Sequence, residues 1–414
     1  GFAPRAAFFS ELTARLRNQL LPSSPETIDA SELFALALPT EFDARWLAAL
    51  DEATLQRLFA VLTDGDAHSD QRWRSALLDA ITYCAGQMLA TGFAPELRLR
   101  MSEESRAAQP FHALLREVES RGDVKVIQTA VRELRHSFRT FAPYRHRRKV
   151  TIFGSARLEP DRPEYKQAVE FGRRIAEAGF MVITGAGPGI MQAGHEGAGA
   201  ENSFGANIRL PWEQAPNPVI SSNPKLLTFK YFFTRKLTFI RHSDAIALFP
   251  GGFGTLDEGY EALALMQTGK SQIMPLVLID RPGGTYWKTW DKHVREHLLR
   301  NELISPEDLN LYQLTDSPDQ AVRWITRFYR NYHSSRYVQD KLVIRLQHAP
   351  SPSALKALNE DFEEIIAGAP MEVIDPTPEE REDDDYVHLP RIAFGFDRKS
   401  FGRLRELIDR LNCL

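Results

Sequence analysis

The chain has 414 residues, a net charge of −4 and 26% charged residues, which is typical of a globular protein with more than one domain. This balance gives no global basic field, so we expect no nucleic-acid partner. With two cysteines and no apolar run long enough to span a membrane, we expect no disulfide framework, no membrane partner and a cytoplasmic location.

Residues 1–147 are predicted to form a helical N-terminal region. Segments such as FHALLREVESRGDVKVIQTAVRELRHSF repeat apolar residues every three or four positions. No residue pattern there points to chemistry, so we interpret it as a lid, scaffold or oligomerisation layer. The basic stretch from Tyr144 to Lys149, YRHRRK, is interpreted as a solvated linker before a buried strand rather than as a nucleic-acid patch.

Residues 148–335 alternate short apolar runs with amphipathic helices. The apolar runs include KVTIF, FMVIT, GANIRL, AIALF and IMPLVLID. This alternation predicts an α/β fold with a Rossmann-like parallel sheet and helices on both faces. The segment LLTFKYFFTRKLTFIRHS is predicted to be one helix. In such folds ligands bind at the carboxyl ends of the strands.

Residues 336–414 predict a small α+β module that is partly ferredoxin-like. Its pattern is β-α-β followed by β-α, and it could bind a regulator or form an interface. The acidic segment DPTPEEREDDDY, from Asp375 to Tyr386, is predicted to be a mobile, solvated loop rather than a metal site.

Three glycine-containing turns each follow a predicted strand of the α/β domain. Glycine lets the backbone approach an anion closely, and a following helix adds a partial positive charge. Three such turns at one edge of one sheet predict a ligand that carries phosphate. The residues are Gly154 and Ser155; Gly185, Gly187 and Gly189; and Gly251, Gly252 and Gly254.

The second of these turns departs from two known nucleotide motifs. In GAGPGI, Ile190 occupies the third glycine position of the dinucleotide fingerprint, and Arg209 stands where an acidic residue would end the next strand. An NADP-linked enzyme remains an alternative. No Gly-Lys-Ser/Thr follows any of the turns, so the chain has no P-loop.

Charged residues near the third turn allow two interpretations each. The spacing from Thr255 to Glu258 is that of a capping box, but the same carboxylate could instead face a ligand and stabilise positive charge on a sugar ring. Arg235 and Lys236 lie in an otherwise apolar helix. Arg235 could hold a phosphate through two hydrogen bonds or form a salt bridge with a neighbouring helix.

Three motifs together resemble the Lonely Guy family over about residues 148–332. These are PGGFGTLDE from Pro250 to Glu258, the TRK that ends at Lys236, and GAGPGIMQAGHEGA. The resemblance implies a Rossmann-like phosphoribohydrolase that cleaves the N-glycosidic bond of nucleoside 5′-monophosphates, such as AMP or a cytokinin riboside monophosphate. It also implies a homo-oligomer, and it requires no metal or redox cofactor.

The resemblance also implies roles for individual residues. Arg235 and Glu258 match the family's catalytic arginine and glutamate. The implied substrate-binding residues are Gly154, Ser155, Gly185, Gly187, Gly189, Lys236, Gly251, Gly252, Gly254 and Thr255.

A second hypothesis assigns no hydrolysis to the same fold. A carrier or sensor would bind nucleotide and return it intact, whereas a nucleosidase would release the free base. The base preferred, the oligomer number and the roles of the terminal regions do not follow from the sequence.

Overall fold

The computed structural model describes residues 120–210 and 215–414. The predicted helical character of residues 1–119 lies outside the described residues. Within the described part, no helix combines the length and apolar character needed to cross a membrane.

The first part of the described chain alternates strands and helices, as the sequence predicts. Its elements, in chain order, are α1 (Arg121–Phe141), β1 (Lys149–Phe153), α2 (Pro163–Glu177), β2 (Met181–Thr184), α3 (Ile190–Ala198), β3 (Ser203–Ile208), β4 (Leu226–Phe229), α4 (Phe232–His242), β5 (Ala245–Leu248), α5 (Phe253–Gln267), β6 (Leu276–Ile279), α6 (Tyr286–His293), β7 (Gln313–Thr315) and α7 (Pro318–Phe328).

The seven strands β1 to β7 form one parallel sheet in the order β4-β3-β2-β1-β5-β6-β7. The predicted Rossmann-like parallel sheet is therefore confirmed. The chain runs outward from β1 to β4 and then returns to place β5 on the other side of β1. This reversal creates a crevice beyond the carboxyl ends of β1 and β5, which is where doubly wound folds bind ligands.

One predicted helix is wrong in its first part. Residues 226–229 pair with β3 as the edge strand β4, in the register Gly205↔Leu226 to Ile208↔Phe229. The helix α4 begins only at Phe232. The apolar spacing of this segment suits both structures, and pairing with the open edge of β3 decides in favour of the strand.

The last part of the described chain forms a second, antiparallel sheet in the order β10-β11-β9-β8. The sequence analysis missed its first strand, whose residues are mostly polar. The elements are β8 (Tyr332–Val338), β9 (Lys341–Leu346), α8 (Pro352–Asp361), β10 (Glu372–Ile374), α9 (Pro378–Glu382), β11 (Arg391–Gly395) and α10 (Phe401–Leu411).

The prediction of a loop over residues 375–386 is wrong in part, because this segment contains the helix α9. Glu380 of this helix is fully buried between two arginines. The Glu380 carboxylate lies 2.7 Å from Arg345 Nη2 and 2.7 Å from Arg391 Nη1. Asp385 pairs with Arg345 and Arg336, at 2.6 and 2.8 Å. Buried charges are held in this way when each has a partner of opposite sign.

The two sheets share one apolar core. One buried cluster contains Phe204 and Leu276 of the parallel sheet together with Ile344 and Phe394 of the antiparallel sheet. A second cluster covers the other face of the parallel sheet, around Phe171 and its neighbours. Burial on both faces explains why the parallel strands are almost continuously apolar.

Candidate functional site

The three glycine turns meet around Ser155. The Ser155 amide donates a hydrogen bond to Pro250 O at 3.1 Å, and the Ser155 carbonyl accepts one from Ile190 N at 3.0 Å. A side chain at Gly189, which has a φ of +66°, would clash with Ser155 O. A side chain at Gly154 would meet Ile190. These glycines therefore allow the turns after β1, β2 and β5 to pack backbone against backbone.

The three glycines of the third turn have different surroundings. A Cβ at Gly251 would clash with Thr255 Oγ1 and lie 2.9 Å from Ser155 N, whereas a Cβ at Gly252 or Gly254 would meet nothing within 4 Å. Gly251 O accepts a hydrogen bond from Tyr286 Oη at 2.6 Å, which fixes the turn from the far side. Gly251 is thus required for packing, while Gly252 and Gly254 border open space.

The capping box predicted from Thr255 to Glu258 does not form. Helix α5 begins at Phe253 with Gly252 as its N-cap, and Thr255 is already the third helical residue. The flexible Gly-Gly turn lets the helix start before the threonine. Glu258 is consequently free of any capping role, and it lies on the second turn of α5 as a residue only 7% exposed.

Glu258 is buried near two positively charged side chains, Lys236 and Arg235. Its Oε2 lies 3.4 Å from Lys236 Nζ, yet this buried oxygen accepts no hydrogen bond from the described residues. Burial raises the pKa of Glu258 above its ordinary value, although the charges of Lys236 and Arg235 pull it down. A buried carboxylate with a spare acceptor oxygen and a raised pKa is suited to proton transfer or to holding a ligand hydroxyl.

Arg235 is half-buried against the second glycine turn. Its Nε donates to Ala206 O at 2.8 Å, and its guanidinium occupies the space that a side chain at Gly185 would need. Within the described residues it forms no ion pair with a carboxylate, so the predicted alternative of a salt bridge to a neighbouring helix is not observed there. Within the described residues, Nη1 and Nη2 of Arg235 remain available to an anion.

Lys236 is held by three carboxylates of α5. Its Nζ lies 2.9 Å from Asp257, 3.4 Å from Glu258 and 2.5 Å from Glu261. Because its charge is shared in this way, Lys236 is better placed to orient and charge-balance Glu258 than to grip a phosphate directly.

A buried polar network that the sequence analysis missed supports the second turn. Asn217 N donates to Ala186 O at 2.8 Å, and Asn217 Nδ2 donates to Gly187 O at 3.0 Å. The Thr184 hydroxyl accepts the Ala186 amide at 3.0 Å. These bonds hold Ala186 at a φ of +61°, a conformation that alanine avoids when unsupported.

His195 completes this network from helix α3. Its Nε2 lies 3.0 Å from Phe204 O, and because a carbonyl only accepts, the proton is placed on Nε2. Its Nδ1 then accepts from Asn217 Nδ2 at 3.2 Å. Burial lowers the pKa of His195, which keeps the ring neutral and preserves this arrangement. Asn217 is 22 residues away in sequence and carries no motif, so only His195 was visible as part of GAGPGIMQAGHEGA.

The structure therefore brings the sequence-predicted residues to one edge of one sheet. The glycine turns, Arg235 and Glu258 surround the crevice beyond β1 and β5. Backbone amides, one guanidinium and one buried carboxylate can together bind an anionic sugar and stabilise positive charge on it. Fold and site define a Rossmann-like protein with a candidate ligand-binding crevice at the topological switch point.

Two family models match different parts of the chain. Residues 188–325 match a model described as possible lysine decarboxylase, and residues 1–137 match one described as site-specific recombinase. Of the second match, the structure describes only residues 120–137.

Individual proteins are similar to parts of this chain. A pyrimidine/purine nucleotide 5′-monophosphate nucleosidase of Escherichia coli K12 is 27% identical over 151 residues, which is 33% of this chain and 33% of the relative. The match thus spans only a third of the curated relative. Among solved structures, the molybdenum cofactor binding protein of Rippkaea orientalis is 21% identical over 44% of this chain and 96% of its own, with a TM-score of 0.30. The molybdenum cofactor carrier protein of Chlamydomonas reinhardtii is 16% identical over 44% and 97%, with a TM-score of 0.31. Structural likeness of this strength says nothing about what this chain binds.

The match over residues 188–325 and the similarity to the nucleosidase support the resemblance of the α/β part to the Lonely Guy family, whose members often carry the lysine decarboxylase label. The family signature is the turn that carries Gly251 and continues to Glu258, the same turn that closes the crevice.

Proposed function

We propose that this chain is a phosphoribohydrolase that cleaves the N-glycosidic bond of nucleoside 5′-monophosphates. The observation that carries the proposal is the buried Glu258 carboxylate beside Arg235 and the glycine turns, with one oxygen that accepts no hydrogen bond from the described residues. The family-model match over residues 188–325 and the similarity to a nucleotide 5′-monophosphate nucleosidase support the same reaction.

In this proposal the glycine turns bind the 5′-phosphate. Amides of Gly252 and Gly254 at the start of α5 would face it, because these glycines border open space and a helix N-terminus favours an anion. Arg235 would hold a phosphate or ribose oxygen. Gly251 and Tyr286 would keep the turn in shape.

Glu258 would act on the ribose. As the bond from C1′ to the base nitrogen breaks, its electron pair leaves with the base and positive charge develops on the sugar ring. The carboxylate stabilises that charge and accepts a proton from the water whose oxygen bonds to C1′. The proton then passes to the departing base, so that base and ribose 5-phosphate are the products.

The test is base release by the purified chain. AMP, GMP, CMP, UMP and a cytokinin riboside monophosphate are incubated separately, and free base is measured by chromatography. Glu258→Gln should lower release by about 1,000-fold or more, because it removes the charge and the proton acceptor together. Glu261→Gln is the matched control, since Glu261 also contacts Lys236 but lies one turn farther along α5.

Two results would contradict the proposal. Equal release by Glu258→Gln and wild type would remove Glu258 from the reaction. Tight nucleotide binding with no release from any substrate would favour the carrier or sensor instead.

A further inference from the structure

A second concave site lies between α1 and the edge strand β4. It encloses about 570 Å³, within the usual range for small-ligand sites. None of the residues predicted for the crevice lines it. We call it the basic cleft, defined by Arg132, Arg135, Arg139, Arg209 and Lys230.

The cations of the basic cleft come from three separate segments. Arg132, Arg135 and Arg139 are three and four residues apart and therefore share one face of α1. Arg209 follows β3, and Lys230 follows β4. All five side chains are exposed, so their charged groups can reach a ligand in the cleft.

The one carboxylate among the residues that line the cleft is used elsewhere. Glu133 accepts hydrogen bonds from Lys230 N at 2.7 Å and from Thr234 Oγ1 at 2.6 Å. It thereby holds the start of α4 rather than neutralising the arginines. Across residues 120–210 and 215–414, no carboxylate lies within ion-pair distance of the five cations.

We propose that the basic cleft binds a small molecule with several phosphate groups. Five like charges around one concavity repel each other, and a bound polyanion offsets that repulsion. An arginine guanidinium can donate two parallel hydrogen bonds to two oxygens of one phosphate group. The concave form favours a compact anion over a nucleic-acid backbone, which needs a continuous charged track.

The experiment is a calorimetric titration of the full chain with sodium tripolyphosphate at low and moderate salt. The triple variant Arg132→Gln/Arg135→Gln/Arg139→Gln should bind about tenfold more weakly or worse, and wild-type binding should weaken as salt is added. The control Arg300→Gln/Arg330→Gln/Arg410→Gln removes the same charge from exposed positions elsewhere and should bind like wild type. Thermal melting checks that all variants are folded.

The glycine turns could also bind the probe, so Gly251→Ala separates the two sites. Its added methyl group clashes within the turn. Binding that persists in Gly251→Ala and is lost in the α1 triple variant supports the cleft. The reverse pattern, or no binding at all, overturns the proposal. A dodecathymidylate that binds more tightly than tripolyphosphate, with the same dependence on α1, would assign the cleft to nucleic acid and overturn it as well.

Discussion

At the scale of single residues, the pKa of Glu258 should determine how the proposed reaction depends on pH. Burial favours the neutral acid, and Lys236 favours the carboxylate. Since the proposed reaction needs the carboxylate, turnover should fall as the pH drops through a pKa that lies above the ordinary value of 4.5.

Lys236→Met should move the acidic limb of the pH–rate profile further upward. Removing the ammonium group 3.4 Å from Oε2 takes away the main charge that lowers the pKa of Glu258. The measurement is kcat against pH from 4 to 9 for both proteins. The exposed Lys270→Met serves as control. An unshifted limb in Lys236→Met would show that another group controls it.

Sequence reasoning located these residues but misjudged one local structure. Glycines after apolar runs marked the strand ends, and the resemblance singled out Arg235 and Glu258. The capping box from Thr255 was wrong because Gly252 already starts the helix. Spacing alone cannot tell which of several early residues becomes the N-cap, since tertiary packing of the turn decides it.

At the scale of elements, the second glycine turn depends on groups from several segments. The Ala186–Gly187 peptide is trans, so fixing Ala186 O on Asn217 directs the Gly187 N–H to the opposite side, away from the buried network. The Asn217 amide thus sets which way this backbone donor points, while the Asn217 side chain, which also bonds to His195, holds the following carbonyl of Gly187.

Asn217→Ala should weaken nucleotide binding more than it slows chemistry. The change removes the donors to Gly187 O and His195 Nδ1, and we expect KM to rise about tenfold with a smaller change in kcat. Asn331→Ala is the control, because Asn331 is similarly buried and donates to Leu411 O at the end of α10, outside the second glycine turn. Both variants should lose about 1–3 kcal/mol of stability. If both raise KM alike, Asn217 has only a structural role.

The sequence predicted a strand or helix correctly where its pattern of apolar residues matched the conformation that sheet pairing imposes. The central strands are apolar on both faces, and the sequence shows them clearly. The edge strand β4 and the mostly polar β8 were missed, because each owes its conformation to a neighbouring strand: β4 to β3, and β8 to β9. Contacts between distant residues, such as Asn217 with Gly187, left no local signal.

At the scale of the whole molecule, a buried ionic cluster holds α9 on the second sheet. Glu380 is buried, which favours its neutral form, but hydrogen bonds from Arg391, Thr377 and Arg345 hold its pKa below 4.5. A lowered pKa in the folded state means that its contribution to stability is present above pH 4.5 and is lost as the pH falls through the lowered value.

Glu380→Gln should destabilise the protein by about 3 kcal/mol, because it leaves the buried Arg391 without its counter-charge and Arg345 with Asp385 alone. Urea unfolding at pH 7 measures the loss, and repeating it toward pH 3 should show a shallower acid dependence than wild type. The exposed Glu382→Gln, on the same helix, should change neither. Equal stability of Glu380→Gln and wild type would mean that the cluster contributes little.

The core shared by the two sheets has a consequence for how residues 126–414 respond to damage. Phe204 and Leu276 pack in the same cluster as Ile344 and Phe394, so cutting the chain after the parallel sheet would strip the apolar covering from its core. We therefore expect the α/β part not to fold when it is separated from the second sheet, and both sheets to unfold together in a single cooperative transition.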